Sequence, residues 1–169
     1  METYIAFLRA VNVGGTGKLP MSDLKAMCEA IGFRDVRTFI ASGNVVFRSN
    51  LNKAKVRSQL EAKLMGYAGK PVGVHVRTAT EISTVLNGNP FPDAPGNRNV
   101  VIFLDAPPPL DTIAKATGQV DEKIALGLNE IHVHYSEGMA QSKLKIPAAK
   151  NGTARNMNTV AKLAAMSNE

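Results

Sequence analysis

Between residues 3 and 86, short β-type runs alternate with helical stripes, and this alternation restricts the chain more than any other feature of its sequence. Residues 3–9 (TYIAFLR) form a short apolar, aromatic-containing run that leads into Asn12-Val13-Gly14-Gly15, which predicts a strand feeding a glycine-rich loop. In residues 22–31, Leu24, Met27, Cys28 and Ile31 recur at the i, i+3, i+4, i+7 spacing of one buried helical face, and Gly32 supplies a stop. Residues 36–40 and 45–48 are β-rich and flank Ala41-Ser42-Gly43-Asn44, the residue types of a hairpin turn. A helix is expected over residues 53–65, with Val56, Leu60 and Leu64 on its apolar side and Gly66 ending it. Val72, Val74 and Val76 then alternate with Gly73, His75 and Arg77 at the period of a strand. Thr78 and Glu81 have the spacing of a capping box and open a short helix reaching about Leu86.

This order of strand, helix, strand, turn, strand, helix, strand is that of a ferredoxin-like unit. Residues 87–99 (NGNPFPDAPGNRN) carry three prolines and two glycines and read as a connection. A similar order restarts after them. The expectations are a strand over residues 100–104, a helix over 110–116 behind three prolines, a hairpin around Asn129-Glu130, and a last helix over 159–166. The fold class expected is therefore α+β, with two ferredoxin-like (βαββαβ-type) halves and mostly antiparallel sheets, divided into residues 1–88 and 89–169. The halves share an order of elements, and no residue-level repeat is visible in the sequence.

Composition limits the function classes. Of 169 residues, 44% are hydrophobic and 20% charged, so the chain buries enough apolar surface to offset its conformational entropy. The apolar stretch at the N-terminus is broken by Arg9 and Asn12, unlike a signal peptide, and the run at residues 100–104 falls far short of the ~20 residues a bilayer requires. A single cysteine forms no internal disulfide, in keeping with a reducing, cytoplasmic setting. Cys28 faces the core in this reading, where a thiolate is disfavoured. Charge is uneven: residues 1–78 hold 12 Lys and Arg against 5 Asp and Glu, and residues 79–139 hold 3 against 8. A basic surface concentrates anions such as phosphates, although it also serves solubility alone.

Several short motifs stand in a recognisable order: Arg9-Ala10-Val11-Asn12-Val13-Gly14-Gly15, Gly32-Phe33, Ser42-Gly43-Asn44-Val45-Val46-Phe47, Asn89-Pro90-Phe91-Pro92, Ser142-Lys143-Leu144 and Ala154-Arg155-Asn156-Met157-Asn158-Thr159-Val160. Together they resemble the bacterial domain-of-unknown-function family numbered 1697, along nearly the whole chain. The resemblance implies two ferredoxin-like subdomains and supplies no activity, substrate or catalytic residue. The chain departs from the commoner pattern at Met157, where many relatives have Trp, and at residues 144–152, where Pro147 interrupts the longer helix of many members.

The segment at residues 12–18 (NVGGTGK) is the leading candidate for chemistry, because glycines let backbone N–H groups approach an anion and Lys18 adds charge. It is not a Walker A loop: Asn12 and Leu19 stand where a glycine and a Ser or Thr are needed. It also lacks the dinucleotide spacing, and no cofactor is assigned. In a β-α-β crossover the first strand's exit and the next parallel strand's exit share one end of the sheet, which brings this loop beside Ser42–Asn44. Asn12, Gly14, Gly15, Lys18, Ser42 and Asn44 are therefore the expected ligand-binding residues, with Arg155 a further anion contact near a helix start capped by Asn158. The competing account is that Ser42 to Asn44 merely satisfy the turn backbone.

Other constellations are weaker. His132 and His134 share a strand face without a third donor, so a solvated face is expected and no metal is assigned. Ser142 and Lys145 have the S-x-x-K spacing, but its companion motifs are absent and Pro147 disfavours a helix there, so a solvated loop is expected. The function reading is binding of a small anionic, phosphorylated ligand. Its alternatives are an RNA-binding module, to which Phe47 contributes only a faint aromatic signal, and a non-catalytic interaction role as monomer or homodimer.

Overall fold

The computed structural model describes residues 1–12 and 18–169 of the chain. Among these residues the fold is α+β, with two four-stranded antiparallel sheets and four helices. It forms two compact units: Met1–Ser83 with Leu163–Glu169, and Thr84–Lys162.

The first unit runs β1 (Glu2–Leu8), α1 (Met21–Ile31), β2 (Arg34–Phe39), β3 (Asn44–Ser49), α2 (Lys53–Ala68), β4 (Val74–Thr78) and the start of α3 (Ala79–Asn87). Its strands lie in the order β2-β3-β1-β4, every neighbouring pair antiparallel. Strand periodicity sends Tyr4, Ala6 and Leu8 to one face, where they join Val45, Phe47, Val74 and Val76 in a core closed by Leu24 and Cys28 of α1 and Val56, Leu60 and Leu64 of α2. Phe33 stacks on Phe47 with centroids 4.2 Å apart. The opposite face, with Ile5, Phe7, Val46, His75 and Arg77, is buried as well, which is why β1 is apolar without alternation.

Local chemistry sets the helix ends. α1 stops at Gly32, φ 105°, where the Gly32 and Phe33 N–H groups donate to the carbonyls of Glu29 and Cys28. The Asn52 side chain caps α2 by accepting the Lys55 N–H at 2.9 Å. α2 passes through Gly66, the stop expected from sequence, and ends at Gly69, φ 71°, whose N–H donates to Met65 O at 2.9 Å. A mid-helix glycine costs only about 1 kcal/mol, and the extra turn seats the Tyr67 hydroxyl on Asp23 Oδ2 at 2.9 Å. α3 opens with the expected capping box: Glu81 N–H donates to Thr78 Oγ1 at 3.1 Å, and Thr78 N–H to Glu81 Oε1 at 2.9 Å.

The second unit contains β5 (Asn99–Phe103), β6 (Lys123–Leu126), β7 (Glu130–His134), β8 (Thr153–Asn156) and most of α4 (Met157–Ser167). Its sheet order, β6-β7-β5-β8, repeats that of the first unit strand for strand. The expected hairpin is present, with Leu126 opposite Ile131. The helix expected over residues 110–116 is not: hydrogen-bonded turns replace it, among them Lys115 N–H to Asp111 O at 3.0 Å. Leu110 is 100% exposed, so it meets no packing partner, and a segment this short behind three prolines does not sustain a helix. Residues 144–152 carry one short 3-10 turn, Pro147–Ala149, in line with the broken pattern of that stretch. Leu144, Ile146, Ala148 and Ala149 nevertheless pack on Val100, Ile102, Ile131 and Val133.

Two further expectations are corrected. α4 is capped by Asn156, not Asn158: Asn156 Oδ1 accepts the Thr159 N–H at 2.9 Å, because the helix begins at Met157. His132 is buried beside Val101 instead of on a solvated face, and burial lowers its pKa below the usual range.

The sheets also repeat at residue level. Leu8 N–H donates to Gly43 O at 2.8 Å, and Leu104 N–H to Asn129 O at 2.9 Å. Arg77 Nη1 donates to Val76 O, and Arg155 Nη1 to Ala154 O. Phe7-Leu8 and Phe103-Leu104 occupy matching places, as do the capping residues Thr78 and Asn156.

Candidate functional site

Strand β1 ends at Leu8, and the chain then takes two left-handed residues that are not glycine, Ala10 and Asn12, each with φ 55°. Such residues cost about 1–3 kcal/mol each and persist where surrounding contacts hold them. Asn12 supplies those contacts. Its Nδ2 donates to Leu19 O and to Ala41 O, both at 2.8 Å, and its Oδ1 accepts the Leu19 N–H at 2.6 Å. Asn12 thus ties the two ends of the glycine-rich segment together and fastens them to the β2–β3 turn.

Asn12, at the head of the glycine-rich segment, lies against the β2–β3 turn, and the space between Val11 and that turn is filled. Gly43, φ 90°, sits so close to β1 that an added Cβ would lie 2.7 Å from Val11 Cγ2 and 2.8 Å from Leu8 Cβ. Asn44 is fully buried, and its Nδ2 donates to Phe39 O at 2.9 Å and Ser42 Oγ at 3.0 Å. Asn12, Ser42 and Asn44 therefore hold backbone in place. Gly14 and Gly15 lie outside the described residues. Arg155 belongs to the second unit, 8% exposed on β8, where burial lowers its pKa to about 10.

An open cavity of about 420 Å³ lies on the other side of the β1 exit. Arg9 and Lys18 come from the ends of the loop, Lys70 from the turn after α2, and Leu64, Tyr67 and Val72 supply apolar wall. Among the described residues, three cations line it and no carboxylate does. Antiparallel pairing explains the convergence: Leu8 opposes Val74, so the exit of β1 meets the entry of β4, and Arg9 N–H donates to Gly73 O at 2.9 Å. The hydrogen bond to Asp23 holds the Tyr67 hydroxyl proton and raises its pKa above the usual range. Of the residues expected from sequence, Lys18 is at this cavity; Arg9, Lys70 and Tyr67 were missed. Their signal was topological, since Lys70 follows the helix stop at the same sheet end as Arg9.

The remaining constellations do not assemble into chemistry. Among the described residues, no three His, Cys, Asp and Glu side chains are grouped to hold a metal ion. His134 packs on the Phe91 ring, centroids 5.8 Å apart. The stretch from Ser142 to Lys145 is not helical; Ser142 donates to Glu122, and Lys145 bridges Thr117. Burial pushes the Cys28 thiol up to about 12, which makes it inert as a nucleophile. Phe47, fully buried under the helices, presents no face to a base. No described helix is long and apolar enough to cross a membrane.

Comparison with known proteins adds the family. The family described as "Protein of unknown function (DUF1697)" matches residues 1–132. The conserved bacterial protein SP0830 of Streptococcus pneumoniae has a similar fold, with a TM-score of 0.79 over 98% of each chain at 23% sequence identity. No curated protein matches the chain. The motifs from Arg9 to Phe47, the repeated four-stranded sheets and the match over residues 1–132 agree: the chain belongs to the DUF1697 family.

Proposed function

We propose that the chain binds a small anionic ligand, such as a phosphorylated metabolite, in the cavity of its first unit. The observation that carries this reading is the convergence of Arg9 and Lys18, from the two ends of the glycine-rich loop, and Lys70, from the turn after α2, on one hollow that no carboxylate among the described residues lines. An exposed charge pair contributes about 0–1 kcal/mol, so three cations alone give weak binding. The wall of Leu64, Tyr67 and Val72 selects a ligand with an anionic group on a less polar body. The strained residues Ala10 and Asn12 fix the direction in which Arg9 and Lys18 leave the sheet.

The same proposal treats each unit as a ferredoxin-like domain, supported by the β-α-β-β-α-β order of the first and the identical strand order of the second. A cytoplasmic setting fits the lone buried thiol. An RNA-binding reading draws no support from Phe47, whose ring is spent in the core.

Thermal-shift measurements with phosphorylated metabolites, at matched ionic strength, test the site. Stabilisation by a phosphorylated compound is expected, reduced in Lys18→Ala and in Lys70→Ala and retained in Lys143→Ala of the other unit. Shifts that survive both first-unit substitutions would place the anion elsewhere.

A further inference from the structure

The helix beside the basic hollow runs on past the glycine at which its sequence pattern ends. α2 passes through Gly66 and carries Tyr67 into the wall of the hollow, where the residue stays 47% exposed. Single exposed aromatics are ordinary on protein surfaces, but this one is fastened at both ends: its backbone is helical, and its hydroxyl donates to Asp23 Oδ2 of α1 at 2.9 Å. A ring held in this way gives up little rotamer freedom when a ligand packs on it. Because its one polar atom is spent on Asp23, what Tyr67 offers the hollow is its ring, and the retained proton means that it adds no charge against an anion.

The cations stand in the same wall. Lys70 follows directly after Gly69, the left-handed residue that ends α2, while Arg9 and Lys18 come from the ends of the glycine-rich segment. Leu64, Pro71 and Val72 add aliphatic surface. An aromatic and aliphatic wall beside a group of cations fits a guest with a planar ring at one end and a phosphate at the other. At about 420 Å³ the hollow falls low in the range of about 300–1,000 Å³ of small-ligand sites, which suits one nucleotide and not a strand. The second unit's hollow, between residues 118–122 and 135–143, is lined by Asp121, Glu122 and Glu137 against Lys143 alone, so it disfavours the same guest.

We propose that the guest of the basic hollow is a nucleoside monophosphate, its base packed on the Tyr67 ring and its phosphate held by Lys18, Lys70 and Arg9. The proposal rests on the reading of this hollow as an anion site and adds the aromatic half of the ligand. Every base has a face to stack, so the site separates a nucleotide from a sugar phosphate more sharply than one nucleotide from another.

The test is a ¹H–¹⁵N NMR titration of the full chain with AMP, ribose 5-phosphate and adenosine at matched ionic strength. AMP should bind about fivefold or more tightly than ribose 5-phosphate, with saturable shifts at the Tyr67, Lys70 and Gly73 amides and none at residues 118–122. Tyr67→Ala, at an exposed position, should bring AMP down to the affinity of ribose 5-phosphate and leave ribose 5-phosphate unchanged, whereas Tyr67→Phe keeps the ring and should keep the preference. Equal affinity of the two esters for the unaltered chain, or a preference for AMP that survives Tyr67→Ala, would overturn this assignment and leave the anion site standing. Failure of both esters to saturate, or adenosine binding as tightly as AMP, would overturn the anion site and this assignment with it.

Discussion

The two units share a sheet and differ in what covers it. In the first, α1 and α2 carry the chain between strands and bury Leu24, Cys28, Val56, Leu60 and Leu64 on one sheet face. In the second, residues 104–122 and 135–152 make the same connections with turns and one 3-10 turn, and Leu144, Ile146 and two alanines replace the helices. Strand order is the part the units hold in common, with matching hydrogen bonds at Leu8 and Leu104 and matching arginines at Arg77 and Arg155. A sheet needs apolar cover, and it accepts that cover from any backbone able to satisfy its own hydrogen bonds. The helical cover leaves a basic hollow at its edge, whereas the turn cover encloses an acidic one.

Three measurements sharpen or break this contrast. The largest effect is expected from cover residues. Leu60→Ala should cost about 2–5 kcal/mol in urea unfolding, and Ile146→Ala, only partly buried, about 1–2 kcal/mol. Equal costs would mean that turns cover a sheet as tightly as helices do. Next comes Gly118→Ala, where a left-handed backbone and contact with Lys143 O combine to about 2–4 kcal/mol. A near-neutral result would show that the turn-built unit yields where a packed one would not. Smallest is the pair Thr78→Ala and Asn156→Ala, each removing the cap at the same place in its unit for about 1 kcal/mol. Unequal losses would argue against a residue-level repeat.

What was legible in the sequence is what local chemistry decides. The capping box of Thr78 and Glu81 and the hairpin turn before Asn44 are specified within a few residues, and both are present. The helix expected at residues 110–116 fails because a segment so short needs packing to hold it, and nothing lies over Leu110 to bury it. Gly66 and Asn158 have the residue types of helix ends, yet the ends fall at Gly69 and Asn156, where backbone donors find their acceptors. The repeat stayed hidden because its sequence trace is short, chiefly Phe7-Leu8 and Phe103-Leu104. It emerges only when strand register aligns the two sheets. At the proposed site, Lys18 was readable from its glycine-rich setting, but Arg9 and Lys70 meet it through antiparallel pairing, which no single segment encodes.

Asn12 has one further consequence. By joining its own side chain to Leu19 and to Ala41, it bears the mechanical tie between the end of β1, the approach to α1 and the β2–β3 turn, so residues 13–18 are bracketed at both ends by bonds made outside them. Substitutions within residues 13–17 therefore leave in place the contacts by which Asn12 holds Leu19 and Ala41 together.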